Sequence, residues 1–217
     1  MYPLGDGELP GGNTGVSALG FDGLMGCAIK SREVYCWGSG VLGDGAESST
    51  STEPVKVASG PDGFANSNVV DLYVGGARWG GISGGSGQTT CVIREEGASG
   101  AIGDVVYCWG DNYNLANASR LGLGAGSDSV VLTHAKVQPG NTGFSNSGVT
   151  AVGGSSYATC FVEGGVAYCA GLYTAGGTGL WNGSDWDNAL VPEKLPATDG
   201  FLNNGSVTAL TGGNQHV

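Results

Sequence analysis

The stretch Cys27-Ala28-Ile29-Lys30-Ser31-Arg32-Glu33-Val34-Tyr35-Cys36-Trp37-Gly38 decides the fold. A short apolar run, a polar turn and a second apolar run, bounded by cysteines, predict a β-hairpin. The phrase returns twice. Cys91-Val92-Ile93-Arg94 opens a copy that closes with Val105-Val106-Tyr107-Cys108-Trp109-Gly110, and a third runs from Cys160-Phe161-Val162 to Ala167-Tyr168-Cys169-Ala170-Gly171. All 6 cysteines lie in these hairpins, two in each. Folding the first and third hairpins sets their cysteines opposite one another. A non-hydrogen-bonded pair approaches to about 4.5 Å between Cα atoms, within disulfide reach. The predicted bridges are Cys27–Cys36, Cys91–Cys108 and Cys160–Cys169. The competing use of cysteine is zinc, which typically takes close Cys-x-x-Cys pairs; the sequence has none, and His134 and His216 show no ligand spacing. Disulfides imply an oxidising compartment, so the expected address is extracellular or the cell surface.

Two further phrases recur around each hairpin. Val16-Ser17-Ala18-Leu19-Gly20, Val70-Asp71-Leu72-Tyr73-Val74-Gly75-Gly76, Val149-Thr150-Ala151-Val152-Gly153-Gly154 and Val207-Thr208-Ala209-Leu210-Thr211-Gly212-Gly213 alternate apolar and small polar residues, the period of a half-buried strand. Between units, Gly63-Phe64-Ala65-Asn66, Gly143-Phe144-Ser145-Asn146 and Gly200-Phe201-Leu202-Asn203 share a Gly-Phe core followed by Asn. Two readings of this loop stand side by side: a Phe that plugs the gap between neighbouring units, or an ordinary surface turn with a half-buried Phe. Short strand candidates precede it at Pro54-Val55-Lys56-Val57, Ala135-Lys136-Val137 and Pro192-Glu193-Lys194-Leu195. The chain thus divides into repeat units at about 16–69, 70–148 and 149–206, with partial units at 1–15 and 207–217. Together they are expected to form a single arc over 1–217.

Composition agrees with this reading. Gly fills 44 of 217 positions without a three-residue period, which excludes collagen. Only 12 % of residues are charged, and so many Gly disfavour helices. The net charge of −11, with 8 Lys and Arg in all, argues against nucleic-acid binding and against an anionic membrane surface. No apolar run is long enough to span a bilayer as a helix. Residues 1–7 carry no secretory signal, and the expectation is that the natural N-terminus is missing.

The order of phrases resembles the repeat of the regulator of chromosome condensation family, and most of all its secreted bacterial members with paired cysteines. The matching residues are Val34-Tyr35-Cys36-Trp37-Gly38 with Leu42-Gly43-Asp44-Gly45 and Pro54-Val55-Lys56-Val57. They continue with Val106-Tyr107-Cys108-Trp109-Gly110-Asp111-Asn112 and Leu121-Gly122. Ala170 departs from the pattern, standing where Trp is expected. The resemblance implies an all-β fold: a β-propeller of four-stranded antiparallel blades, of which this chain would supply about three to four. Both ends look cut through a unit, as in a fragment of a longer protein or a chain whose broken blades neighbouring chains complete. The family's role as a nuclear exchange factor does not carry over to a disulfide-bonded chain.

For function, no nucleophile–base arrangement, phosphate-binding loop or cofactor motif is present in the sequence. The expectation is no enzyme, no cofactor and no metal. Asp44, Asp111, Asp185 and Asp187 offer loop oxygens, but no loop has full calcium spacing and turn-forming Asp is the preferred reading. Trp181 and Trp186 in one loop, and Trp79 in an insertion, are candidate partner-binding residues, since exposed Trp suits a protein anchor or a sugar ring. Trp37 and Trp109 are expected to be structural. Asn117, Asn182 and Asn204 lie in possible glycosylation sequons. The expected function is a non-catalytic module that binds a protein or glycan through its loops. The alternatives are a structural subunit of a filament or ring joined by blade pairing between chains, and, less favoured, a glycan-processing enzyme.

Overall fold

The structure, a computed structural model, describes residues 9–46, 49–60, 62–76, 88–96, 104–112, 119–172, 188–196 and 204–212. These residues form twelve strands in three antiparallel sheets and no helix. The first sheet holds β1 (Val16–Asp22), β2 (Met25–Lys30), β3 (Glu33–Gly40) and β4 (Ser49–Lys56) in sequence order. The second holds β5 (Val69–Gly75), β6 (Thr89–Arg94), β7 (Val105–Asp111) and β8 (Val130–Lys136). The third holds β9 (Val149–Gly154), β10 (Ala158–Glu163), β11 (Val166–Gly171) and β12 (Ala189–Lys194). Each sheet is an up-and-down meander, its four strands hydrogen-bonded to one another in chain order.

The cysteine hairpins are the central pair of each sheet. Cys27 faces Cys36, Cys91 faces Cys108 and Cys160 faces Cys169 in the ladder. All three pairs are disulfides, with Cα atoms 4.1 Å apart. The glycine two residues after the second cysteine has a specific job. Gly38, Gly110 and Gly171 all have positive φ, and each strand pair shifts register between that glycine and the preceding cysteine. A Cβ there would stand 2.1, 2.2 and 2.3 Å from the backbone carbonyl oxygens of Leu24, Gln88 and Tyr157, each just ahead of its sheet's second strand. Only glycine permits this bulge, which turns the third strand toward the fourth.

The sheets stack face to face in a fixed order. The crosslinked face of the first, with Met25, Cys27, Ile29, Val34 and Cys36, packs on Leu72, Val74, Val92, Tyr107 and Trp109 of the second. The crosslinked face of the second, with Cys91, Ile93, Val106 and Cys108, packs on Val152, Phe161 and Tyr168 of the third. Covered on both faces, a central strand such as β6 is buried without a break from Thr89 to Ile93 rather than at every second residue.

The Gly-Phe loops seal these junctions. Phe64 is buried, stacked on the His134 ring at 3.9 Å and edge-on to Tyr107. Phe144 is buried against Phe161 and Tyr168 at the next junction. Of the two readings of the loop, the plug is the correct one here; Phe201 lies outside the described residues. The Asn of the phrase ties the loop down. Asn66 Oδ1 accepts the Val34 N–H at 2.7 Å, and its Nδ2 donates to the carbonyls of Val34 and Val57. Asn146 repeats all three bonds at Val106 and Val137. Buried Arg120 links the second and third sheets, donating through Nη1 to the carbonyls of Gly76 and Ser156.

Candidate functional site

The outward face of the first sheet differs from the other aromatic faces, for among the described residues no sheet lies against it. β1 alternates: Gly20 turns toward the second sheet, where a Cβ would meet Leu72 at 2.6 Å, so Leu19 and Phe21 turn outward. Both are exposed, as is Leu24 in the following turn. Trp37 of β3 is half-buried beside them, its ring edge-on to Phe21 at 5.8 Å. Gly26 makes that contact possible, because a Cβ there would stand 2.8 Å from the Phe21 ring. Thr52 and Pro54 of β4 form one wall, and Leu9, Asn13 and Val16 the other, around a groove of about 370 Å³.

The stretch before β1 is held by polar contacts at its back. Lys30 is buried, and its ammonium donates to the Pro10 carbonyl at 2.6 Å and to that of Gly12. The Leu9 N–H donates to Asn13 Oδ1. At one end of the sheet Tyr35 donates to Glu33 Oε2 at 2.9 Å, and Lys56 donates to Glu33 Oε1 at 2.7 Å. The bond from Lys56, then that from Tyr35, holds the Glu33 carboxyl below its ordinary range. Burial, reinforced by Glu33, pushes the Tyr35 phenol up. No residue lining the groove itself is charged. The site offers apolar contact and shape, not acid–base chemistry.

Several residues that the sequence singles out fall elsewhere. Trp79, Trp181, Trp186, Asn117, Asn182, Asp185 and Asp187 lie outside the described residues. Asn204 is exposed, and its Oδ1 accepts the Ser206 hydroxyl of the same sequon. Asp44 Oδ1 accepts the Ala46 N–H, as a turn-forming Asp does. Asp111 has an oxygen 3.7 Å from Arg120. Among the described residues no cluster of His, Cys, Asp and Glu is arranged to hold a metal ion. Trp109 is fully buried, as expected of a structural residue; Trp37 is half-buried, packed against the Leu9, Ala28 and Tyr35 cluster, and it also lines the groove. Leu19 and Phe21 do not stand out in the sequence because a half-buried strand pattern does not say which face is covered.

Comparison with known proteins supports the fold and corrects the family. The chain resembles the crystal structure of human WBSCR16, a propeller of the regulator of chromosome condensation type, with a TM-score of 0.57 and 16 % identity. The match covers 83 % of this chain and 38 % of that one. The chain is therefore all-β and propeller-like in fold, and spans well under half of the structure it resembles. Membership of the family, with its secreted bacterial type, is not upheld. No family model and no curated protein matches the chain, and its described residues form three separate sheets rather than a closed ring.

Proposed function

We propose that the chain is a non-catalytic binding module of the extracellular space or cell surface, and that it engages an apolar protein surface through the outward face of its first sheet. One observation carries the reading: Leu19 and Phe21 are exposed beside a half-buried Trp37 around an uncharged groove, with Leu24 exposed in the turn after β1. A cluster of large exposed side chains with aromatic anchors is what protein interfaces use. A glycan would need more hydrogen-bonding groups than this face supplies, so a protein is the better partner. The sequence pointed to loops as the contact region; the geometry favours the sheet face. Three disulfides suit an oxidising compartment, which supports the proposed address. The non-catalytic reading is supported by where the perturbed groups lie: His134 and Tyr73 are shifted chiefly by burial inside the stack, not in an open cleft.

The test compares wild-type protein with a Leu19→Asp/Phe21→Asp variant on arrays of secreted proteins and of glycans. The expected result is binding to a protein, weakened at least about tenfold, or 1.4 kcal/mol, by the two substitutions. Binding confined to glycans, or indifferent to the substitutions, would refute the proposal.

A further inference from the structure

The two junctions between sheets are closed by loops of one design, and they differ in what lies beneath the plug. The Gly60 N–H donates to the Phe64 carbonyl at 3.1 Å, and the Gly140 N–H to the Phe144 carbonyl at 2.8 Å. Each loop also reaches the fourth strand of the next sheet: Asp62 Oδ2 accepts the Lys136 N–H at 3.3 Å, and Thr142 Oγ1 accepts the Lys194 N–H at 2.6 Å. Beneath the second loop lies Pro192, whose carbonyl oxygen would stand 1.8 Å from a Cβ on Gly140. Beneath the first, in the same register, lies His134. A Cβ on Gly60 would stand 3.0 Å from the His134 carbonyl oxygen and 3.1 Å from its Nδ1. The Gly60 backbone thus lies over one ring nitrogen, and Phe64 over the face of the ring. Among the described residues neither imidazole nitrogen has a hydrogen-bond partner, nor has the indole nitrogen of Trp109 beside them.

A ring so placed is held only while it is neutral. Burying a charge without a hydrogen bond or counter-ion costs far more than the Phe64 face returns by cation–π attraction. The titratable groups of the surrounding elements are engaged elsewhere. Lys136 of β8 and Tyr107 of β7 both meet Glu96, Asp62 of the loop holds the Lys136 N–H, Asp44 holds the Ala46 N–H, and Asp111 lies by Arg120. Burial is what shifts the imidazole, with no charge acting on it. We propose that His134 is an acid-operated latch: it takes up a proton only when the Phe64 loop lifts from the ring, so mild acid opens the junction of the first and second sheets and leaves the other junction shut. As Phe64 and Gly60 lift, Asn66 leaves the Val34 N–H without its acceptor. Pro192 has no proton to gain, so Phe144 and the Asn146 clamp stay in place. The opening is local and precedes unfolding of the stack.

Hydrogen exchange of the full chain reads both clamps in one sample. The Val34 amide reports the Asn66 clamp, and the Val106 amide, held in the same way by Asn146, is the control. Their ratio cancels the ordinary pH dependence of exchange. The lifted loop leaves His134 its ordinary pKa of 6.5, whereas the closed loop holds it at about 3. The open form therefore binds more protons between those limits, and its population grows as pH falls below 6.5. From pH 8 to pH 5 the exchange of Val34 relative to Val106 should rise about thirtyfold. The ratio should stay flat in His134→Pro, and equally in His134→Phe, which keeps a ring under Phe64 but no titrating group. A flat ratio in the wild type, with both amides unaffected or accelerating in step, overturns the latch. So does a rise that persists in the variants.

Discussion

Phe21 and Val74 follow the same strand position in the first and second sheets, yet one is 63 % exposed and the other 7 %. Around Val74 the neighbouring sheet supplies Ile29, Val34 and a cystine, and the Phe64 plug fills what remains. Around Phe21 there is the Trp37 edge and solvent. The strands carrying them pair equally well. Local pattern, hairpin crosslink and ladder bonds make each sheet, and only the arrival of a neighbour decides whether a face becomes core. The closed junction therefore carries stability, and the open face is where the proposed binding would take place.

The sharpest way to break that division is to truncate the aromatic on each side. Phe64→Ala should destabilise the protein by about 3–5 kcal/mol, the usual range for emptying a buried Phe site. Phe21→Ser should cost less than about 1 kcal/mol, since only a partly exposed ring contact is lost. Denaturant melts of both variants check this; equal losses would mean that the groove is core in solution. A smaller contrast lies in the two asparagines. Asn66→Ala leaves the Val34 N–H and two carbonyls without their partner, at a cost of about 2–3 kcal/mol. Asn13→Ala removes one bond in an exposed loop and should cost about 1 kcal/mol at most. Hydrogen exchange at the Val34 amide reports the first loss directly.

The repeated phrases made much of this legible. Cysteine spacing in the hairpins pointed to the disulfides, and recurring apolar runs pointed to the strands around them. The recurrence of Gly-Phe-x-Asn was visible too, but its meaning was only half readable. Burial of Phe64 depends on His134 and Tyr107, residues from strands far along the chain that no local pattern ties to it. The clamp made by Asn66 was missed although its signal was present: an Asn two positions after Phe in every copy, where ordinary turns vary. The open face was not legible, because Leu19 and Leu72 sit in equivalent phrases and differ only in what stands opposite. Sequence recurrence likewise suggested a family that comparison does not uphold, since short phrases fixed by one bulge and one crosslink say little about the rest of a chain.

The same closed junction should respond to acid, and the open face should not. His134 occupies the place that Pro54 fills in the first sheet and Pro192 in the third, each preceding the residue paired with the second cysteine. It is fully buried between Phe64 and Trp109, and among the described residues neither ring nitrogen has a hydrogen-bond partner. Burial lowers its pKa from 6.5 to about 3. The unfolded chain thus takes up a proton near pH 6.5, whereas the folded chain resists protonation until about pH 3. Between those limits the unfolded state binds more protons, so stability is fully present above pH 6.5 and falls as pH drops, by up to about 1.4 kcal/mol per unit. The loss is complete once the folded state also protonates. His134→Pro, the residue both sister sheets carry, removes the proton without emptying the site. Stability curves from pH 7 to pH 4 should slope for the wild type and flatten by most of that amount in the variant. A slope unchanged by the substitution would place the acid-sensitive group elsewhere and leave the stacked imidazole as packing alone.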